Sequence, residues 1–420
     1  MLAGAAFLST AALAGVVGSG TPSSCTSAAL QAAIPNGGTI TFNCGAGQQT
    51  INVTNTVIIG ATDPKVIIDG GDTITLDGAG ITSEIAGVSG NPTSLGDATF
   101  RHITLANGNI TTGFGVGGAI QNFGKLTLDT VTFSKNHGSA IFQENCAGCS
   151  NASLTISHCL FQNNTGGTGG AISMEGGNAS IADSTFSGNT AQDSGAIDIF
   201  SNATFKVVMS IDRCTFNGNS ATSFAGGAID VEDLNTGSSV TITNSTFTGN
   251  TATGSNGQGA AIDISAAPVT ITNCTIAGNT ATGSGGAVYF GNRTPVTAMN
   301  NTIIASNNGG NCANASAGTF TGGHNLQFGD STCSGVTVAN PLLGPLTDNG
   351  GLTQTMALGD GSPAIDAGDT GIAPPTDQRG LLRNDGNGDG ILAADIGAFE
   401  AAKAGGNTPP PKRHHSVKPQ

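Results

Sequence analysis

With 66 glycines, one tyrosine, no tryptophan and 10% charged residues in 420, the chain has little material for helices. Its net charge is −14, and Lys403, Lys412, Arg413 and Lys418 all sit in the tail after Glu400. The body is therefore strongly acidic, which argues against a nucleic-acid partner and fits a cation-attracting surface.

The chain opens on an apolar, small-residue run, Leu2 to Val17, with an Ala-x-Ala site at Ala12-Leu13-Ala14. It is too short to span a bilayer and reads as a signal peptide over residues 1–21, although basic residues are missing ahead of it; a buried strand or helix is the alternative. No other apolar stretch approaches membrane length, so a secreted protein with no transmembrane span is expected. Next comes a cap over 22–44. Thr26 or Ser27 can start a short helix, Leu30 and Ile34 share one face, and Pro35 ends it before the strand Thr39-Ile-Thr-Phe42. A solenoid needs such a cap, because a bare sheet edge invites aggregation. Cys25 and Cys44 are placed to pin it with a disulfide.

From residue 45 to 339 short β-branched runs alternate with Gly, Asn and Asp. Within them one sentence recurs. Phe-x-x-Asn stands at Phe133/Asn136, Phe161/Asn164, Phe186/Asn189, Phe216/Asn219 and Phe247/Asn250, with Ile276/Asn279 as a variant. Each copy leads to a small-residue run ending at Ala140, Ala171, Ala196, Ala228, Ala261 or Ala287, and the steps are 25 to 31 residues. A fixed skeleton with variable filling marks a repeat architecture, and three short strands per step point to an all-β solenoid of stacked parallel strands. Equivalent residues then lie ~4.8 Å apart on successive coils. The Phe column should stack inside, and the Asn column should bond to itself and to turn backbone. Thr185, Thr215, Thr246, Thr275 and Thr302 are expected to face solvent. Cys159, Cys214 and Cys274 share a column with Ser184 and Ser245 between them, which puts neighbouring thiols two coils apart and beyond disulfide reach. Cys312/Cys333 reads as a bridge. Cys146-Ala-Gly-Cys149 reads as a loop bridge, with a redox pair or half a metal site as alternatives.

The residues that could carry chemistry are acids. The position after Ala-Ile holds Asp198, Asp230 and Asp263 on successive coils, with Glu144, Glu175 and Glu232 two residues further along their strands. Stacked like charges are unfavourable unless something compensates. An outward, cation-binding or catalytic carboxylate face is expected, and the three aspartates are the candidate catalytic residues of a polysaccharide lyase or glycoside hydrolase. Arg213, Lys206 and Arg293 are the only basic candidates in these coils, and the aromatic platforms that sugar clefts usually use are missing from the pattern. His158, Asp183 and Arg213 share another column and read as a charge ladder with Asp183 between two partners. In Asp385-Gly-Asn387-Gly-Asp389-Gly-Ile391…Asp395 oxygen-bearing residues alternate as in a calcium loop, although the closing acid falls one position early.

Two resemblances rest on these motifs. The paired Phe-x-x-Asn and Gly-Gly-Ala-Ile units resemble the repeats of polymorphic outer membrane proteins, which are surface adhesins. Residues 340–400 resemble the choice-of-anchor Q region, through Leu346-Thr-Asp-Asn-Gly-Gly351, Gly361-Ser-Pro-Ala-Ile-Asp366-Ala-Gly368, Asp377-Gln-Arg379-Gly380 and Asp395-Ile-Gly-Ala-Phe-Glu400. Together they imply a right-handed parallel β-helix of the pectate-lyase-like kind, exported and displayed at or released from a bacterial surface. Residues 401–420 form a Pro-rich basic tail, expected to be disordered. The expected function is adhesion or surface display by a monomer that binds an extracellular polysaccharide or a host or cell-surface ligand, with Ca2+ held by Asp385, Asn387, Asp389, Ile391 and Asp395. A polysaccharide-active enzyme and a purely structural spacer are the competing readings.

Overall fold

The computed structural model describes residues 15–402, apart from 111–115, 146–147, 150, 201–204, 233–236, 256, 266–267, 284, 292–296, 315–319, 385–389 and 391. The chain winds into a parallel β-solenoid. One sheet of ten strands takes a strand from each coil, from Val57–Ile59 through Ile197–Ile199, Ile229–Val231 and Ile262–Ile264 to Cys312–Asn314. Two further faces merge into one large sheet at a corner, where residues such as His158, Asp183, Arg213, Asn244 and Asn273 take φ values between 45° and 55°. Asn and Asp tolerate this left-handed geometry best, which suits the residues found at most of these corners.

Register is in phase throughout: Phe133, Phe161, Phe186, Phe216, Phe247 and Ile276 pair in sequence. The five rings are fully buried and stack 4.6–4.7 Å apart, within 4° of parallel. The asparagines behave as expected too. Asn189 Nδ2 donates to Asn219 Oδ1 (2.9 Å) and to the Phe161 carbonyl (3.0 Å), and the same pattern repeats from Asn136 to Asn307. Each amide thus satisfies turn backbone that no strand ladder reaches. Cys159, Cys214 and Cys274 are free and buried. Ser184 and Ser245 fill the rungs between them and accept from the Cys159 and Cys214 amides, both at 3.1 Å.

Both ends are pinned. Helix α1, Ser27–Ala33, is capped by Thr26, and Cys25–Cys44 closes the N-terminal cap. Strand β1, Gly15–Val17, lies within the stretch assigned to a signal peptide yet pairs with β2, Gly38–Phe42, so the folded body begins before residue 22. At the far end Cys312 bridges Cys333. Cys149 is also disulfide-bonded; Cys146 lies outside the described residues.

The threonine column departs from expectation. Thr215, Thr246 and Thr275 are buried, because residues 340–401 run back along this face as a strap. Thr302 falls out of the column: Thr275 pairs with Ile303, and Thr302 sits among the cysteines and serines, its hydroxyl accepting from the Cys274 amide (3.4 Å). Thr215 Oγ1 donates to the Gln354 carbonyl (2.6 Å) and Thr246 Oγ1 to Gln378 Oε1 (2.6 Å), while Thr275 Oγ1 accepts from the Ala398 amide (3.1 Å). A row of hydroxyls at strand spacing suits bare water and an irregular polar strap equally well, so the column alone could not reveal the cover.

Two outcomes follow. Asn219→Ala strands the Asn189 amide groups and the Phe186 carbonyl and should cost at least about 2 kcal/mol, read as lost hydrogen-exchange protection in the adjoining coils. A thiol-specific reagent should leave Cys159, Cys214 and Cys274 unmodified in the native protein and label all of them after unfolding without reductant.

Candidate functional site

Asp198, Asp230 and Asp263 pair in direct register on the ten-stranded sheet, with Ser173 before them and Tyr289 after. The expectation of an outward, solvated acidic face is corrected here: the three are only 3%, 1% and 1% exposed. Their side chains do leave the solenoid core, but the glycine-rich run ahead of each strand folds back over them. A Cβ on Gly226, whose φ is +71°, would lie 2.7 Å from the Asp230 Cβ, and one on Gly169 would lie 3.0 Å from the Asp198 amide. In the coil before, the covering loop reaches the same column, with the Thr168 hydroxyl donating to Ser173 at 2.8 Å. The glycines ahead of Ala-Ile are therefore more than period markers, since only they let the loop backbone pass this close.

The covered carboxylates are poorly matched. Ser265 donates to Asp263 Oδ1 at 2.8 Å, whereas Asp263 Oδ2 and both oxygens of Asp230 are buried without a hydrogen-bond partner. Burial, then Asp263, Glu232, Asp198 and Asp193, push Asp230 well above the usual carboxylate range. Burial, then Glu232, Asp193 and Glu175, do the same to Asp198. Asp263 is pushed up to about 7, by burial first and Glu232 next, with the Ser265 hydrogen bond opposing. Asp193, on the covering loop, is pushed up to about 6 by burial and Glu232. Among the described residues no three His, Cys, Asp or Glu side chains converge closely enough to form a ready-made metal site. Beside this column stand Phe200 and Phe224, 41% and 49% exposed. Phe200 stands two residues after Asp198, in the column that Glu144, Glu175 and Glu232 occupy on other coils, and Phe224 lies in the loop ahead of Gly226; the column alignment followed only the acids and passed over both.

The corner ladder is rearranged. Arg213 grips Asp183 with two bonds, of 2.8 and 2.7 Å, and also pairs with Asp212. His158 Nδ1 instead meets Asp129 at 2.7 Å, so Asp183 does not bridge His158 and Arg213. His158 and Arg213 each reach to the coil before their own, giving separate pairs in place of a relay.

The strap holds the distinctive C-terminal residues in a buried clamp. Arg379 pairs with Asp377 (2.7 Å) and lies 3.7 Å above the Phe399 ring; Arg383 pairs with Glu400 (2.7 Å) and reaches Asn244 on the solenoid (2.9 Å). Gln378 Nε2 donates to Thr215 and Thr353, both at 3.0 Å. Asp395, expected as a calcium ligand, is buried and accepts from the Asp366 amide (2.8 Å) and the Ala401 amide (2.5 Å). Burial, with Glu400 adding to it, pushes Asp395 up to about 7. Asp385, Asn387, Asp389 and Ile391 lie outside the described residues.

Comparison with known proteins agrees with this architecture. The family model described as a right handed beta helix region matches residues 42–210, and the Chlamydia polymorphic membrane protein repeat matches 273–291. The fold is thus a right-handed β-helix, and its repeat at 273–291 is similar to the polymorphic membrane protein repeat. No curated protein matches it. Among solved structures it is similar to the PL6 family alginate lyase AlyGC, at 13% identity and a TM-score of 0.39, over 97% of this chain and 60% of that one. An arginine-to-alanine mutant of the same lyase gives 13% and 0.38, over 82% and 55%. The chain spans about 60% of the length of that enzyme.

The acid column makes stability depend on pH with an unusual sign. An acid whose pKa is higher folded than unfolded holds a proton that the unfolded chain releases, so its contribution is present at low pH and lost as pH rises through the folded value. With Asp263 at about 7, chelator-treated protein should melt at a higher temperature near pH ~5 than near pH ~8. Asp263→Asn should flatten that difference in a series of thermal melts.

Proposed function

We propose that the chain is an exported β-helix used for adhesion or surface display, working as a monomer on an extracellular polysaccharide or a cell-surface ligand. The observation that carries this reading over the enzymatic one is the burial of Asp198, Asp230 and Asp263. A polymer laid along the coils cannot reach carboxylates that lie under the loop backbone. Exposed Phe200 and Phe224 on the same side offer flat apolar surface of the kind sugar rings stack upon. The repeat match at 273–291 supports a surface role, and disulfides at both ends suit an oxidising compartment.

On this reading residues 340–400 act as a choice-of-anchor Q-like segment, and Ca2+ at the Asp385–Asp395 loop helps to hold them. The alternation of Asp385, Asn387 and Asp389 with glycines supports the calcium part.

Two measurements decide between the classes. Incubation with polyuronates, followed by ultraviolet absorbance of unsaturated products, should show no turnover with or without Ca2+; product that vanishes in Asp230→Ala would establish the lyase reading instead. A glycan array should show binding that weakens at least about tenfold in a Phe200→Ala, Phe224→Ala double variant. Absence of any bound glycan or cell-surface ligand would favour a structural spacer.

A further inference from the structure

The least explained feature of the molecule is Asp230. Both its oxygens are buried and have no hydrogen-bond partner, and its register neighbours on either side are also aspartates. The charged groups that act on it most strongly are Asp263, Glu232, Asp198 and Asp193, all acidic. A carboxylate in that position requires a compensating charge, because transferring an unpaired ion from water is among the costliest events in folding. The Asp263 Oδ2 atom shares the condition.

We propose that Asp230 and Asp263 bind a hard divalent cation, calcium in preference to magnesium, between adjacent rungs of the solenoid. The distances favour calcium. Stacked strands place equivalent residues ~4.8 Å apart, and two calcium–oxygen bonds of ~2.4 Å span the same length. Two magnesium–oxygen bonds of ~2.1 Å span only ~4.2 Å. Magnesium also demands a regular octahedron, which a column of parallel side chains does not supply, whereas calcium accepts irregular oxygen shells completed by water. Glu232, just past the strand of Asp230 and close enough to act on Asp263, and the Ser265 hydroxyl bonded to Asp263 offer further oxygens. This site is separate from the Asp385–Asp395 loop and does not rest on the adhesive reading.

The chain provides its own reporter. Tyr289 is the only tyrosine, tryptophan is absent, and Tyr289 pairs in register with Asp263. Full-length protein stripped with a chelator and titrated with terbium should therefore show lanthanide emission on tyrosine excitation. Calcium should displace it at concentrations at least about tenfold below magnesium. The emission should disappear in Tyr289→Phe and in Asp230→Asn, Asp263→Asn, and persist in Asp385→Asn, Asp389→Asn. In parallel, calcium should raise the melting temperature of the Asp385→Asn, Asp389→Asn chain. Wild-type protein without tyrosine-sensitised emission, or emission that survives in folded Asp230→Asn, Asp263→Asn, overturns the proposal and leaves the column as a stack of protonated acids. Should that variant not fold, the wild-type and Tyr289→Phe titrations decide alone.

Discussion

In a solenoid of near-identical coils every residue has a copy of itself as its nearest neighbour, one strand spacing away. What a column can contain is set by whether a side chain is complementary to its own translated image. Phenylalanine is, because offset rings stack favourably in parallel. Asparagine is, because its amide carries donor and acceptor together and can pass a hydrogen bond from rung to rung. Serine alternates with cysteine where the rung needs an acceptor for one amide and a small apolar filler at the next. Aspartate is not self-complementary, and in the column of Asp198, Asp230 and Asp263 the repetition that stabilises the rest of the molecule works against it.

That contrast explains which parts of the structure could be read in advance. Phe186 and Asn189 obey the repeat, so their burial, stacking and bonding follow from spacing alone, as do the unpaired thiols of Cys159, Cys214 and Cys274. The burial of Asp198, Asp230 and Asp263 was hidden for a specific reason. Alternation along a strand says that a side chain leaves the core, but not whether something outside waits to cover it. The signal was present in Gly169, Gly226 and Gly259, whose lack of a side chain lets the loop close over the acids. The cover on the threonine column was less legible still. It comes from residues more than a hundred positions downstream, and its contacts, such as Gln378 with Thr215 and Thr246, follow no period.

The corner residues make a related point. His158, Asp183 and Arg213 occupy equivalent positions, yet His158 turns to Asp129 while Arg213 alone takes Asp183. Sharing a column therefore does not by itself make neighbouring side chains interact, and the chemistry suggested by a histidine next to an aspartate in an alignment dissolves into ordinary surface pairs.

The strap also gives the molecule a mechanical polarity. A pull on the chain beyond Glu400 is not delivered to the last coil, where Cys312 and Cys333 are joined. It enters next to Glu400, which Arg383 ties to Asn244, through the Ala398 amide on Thr275 and the Gly397 amide on Asn301, and farther along the strap through Gln378 on Thr215 and Thr246. Tension from that end is thus shared among several mid-solenoid rungs in shear, and the terminal coil is shielded from being peeled away.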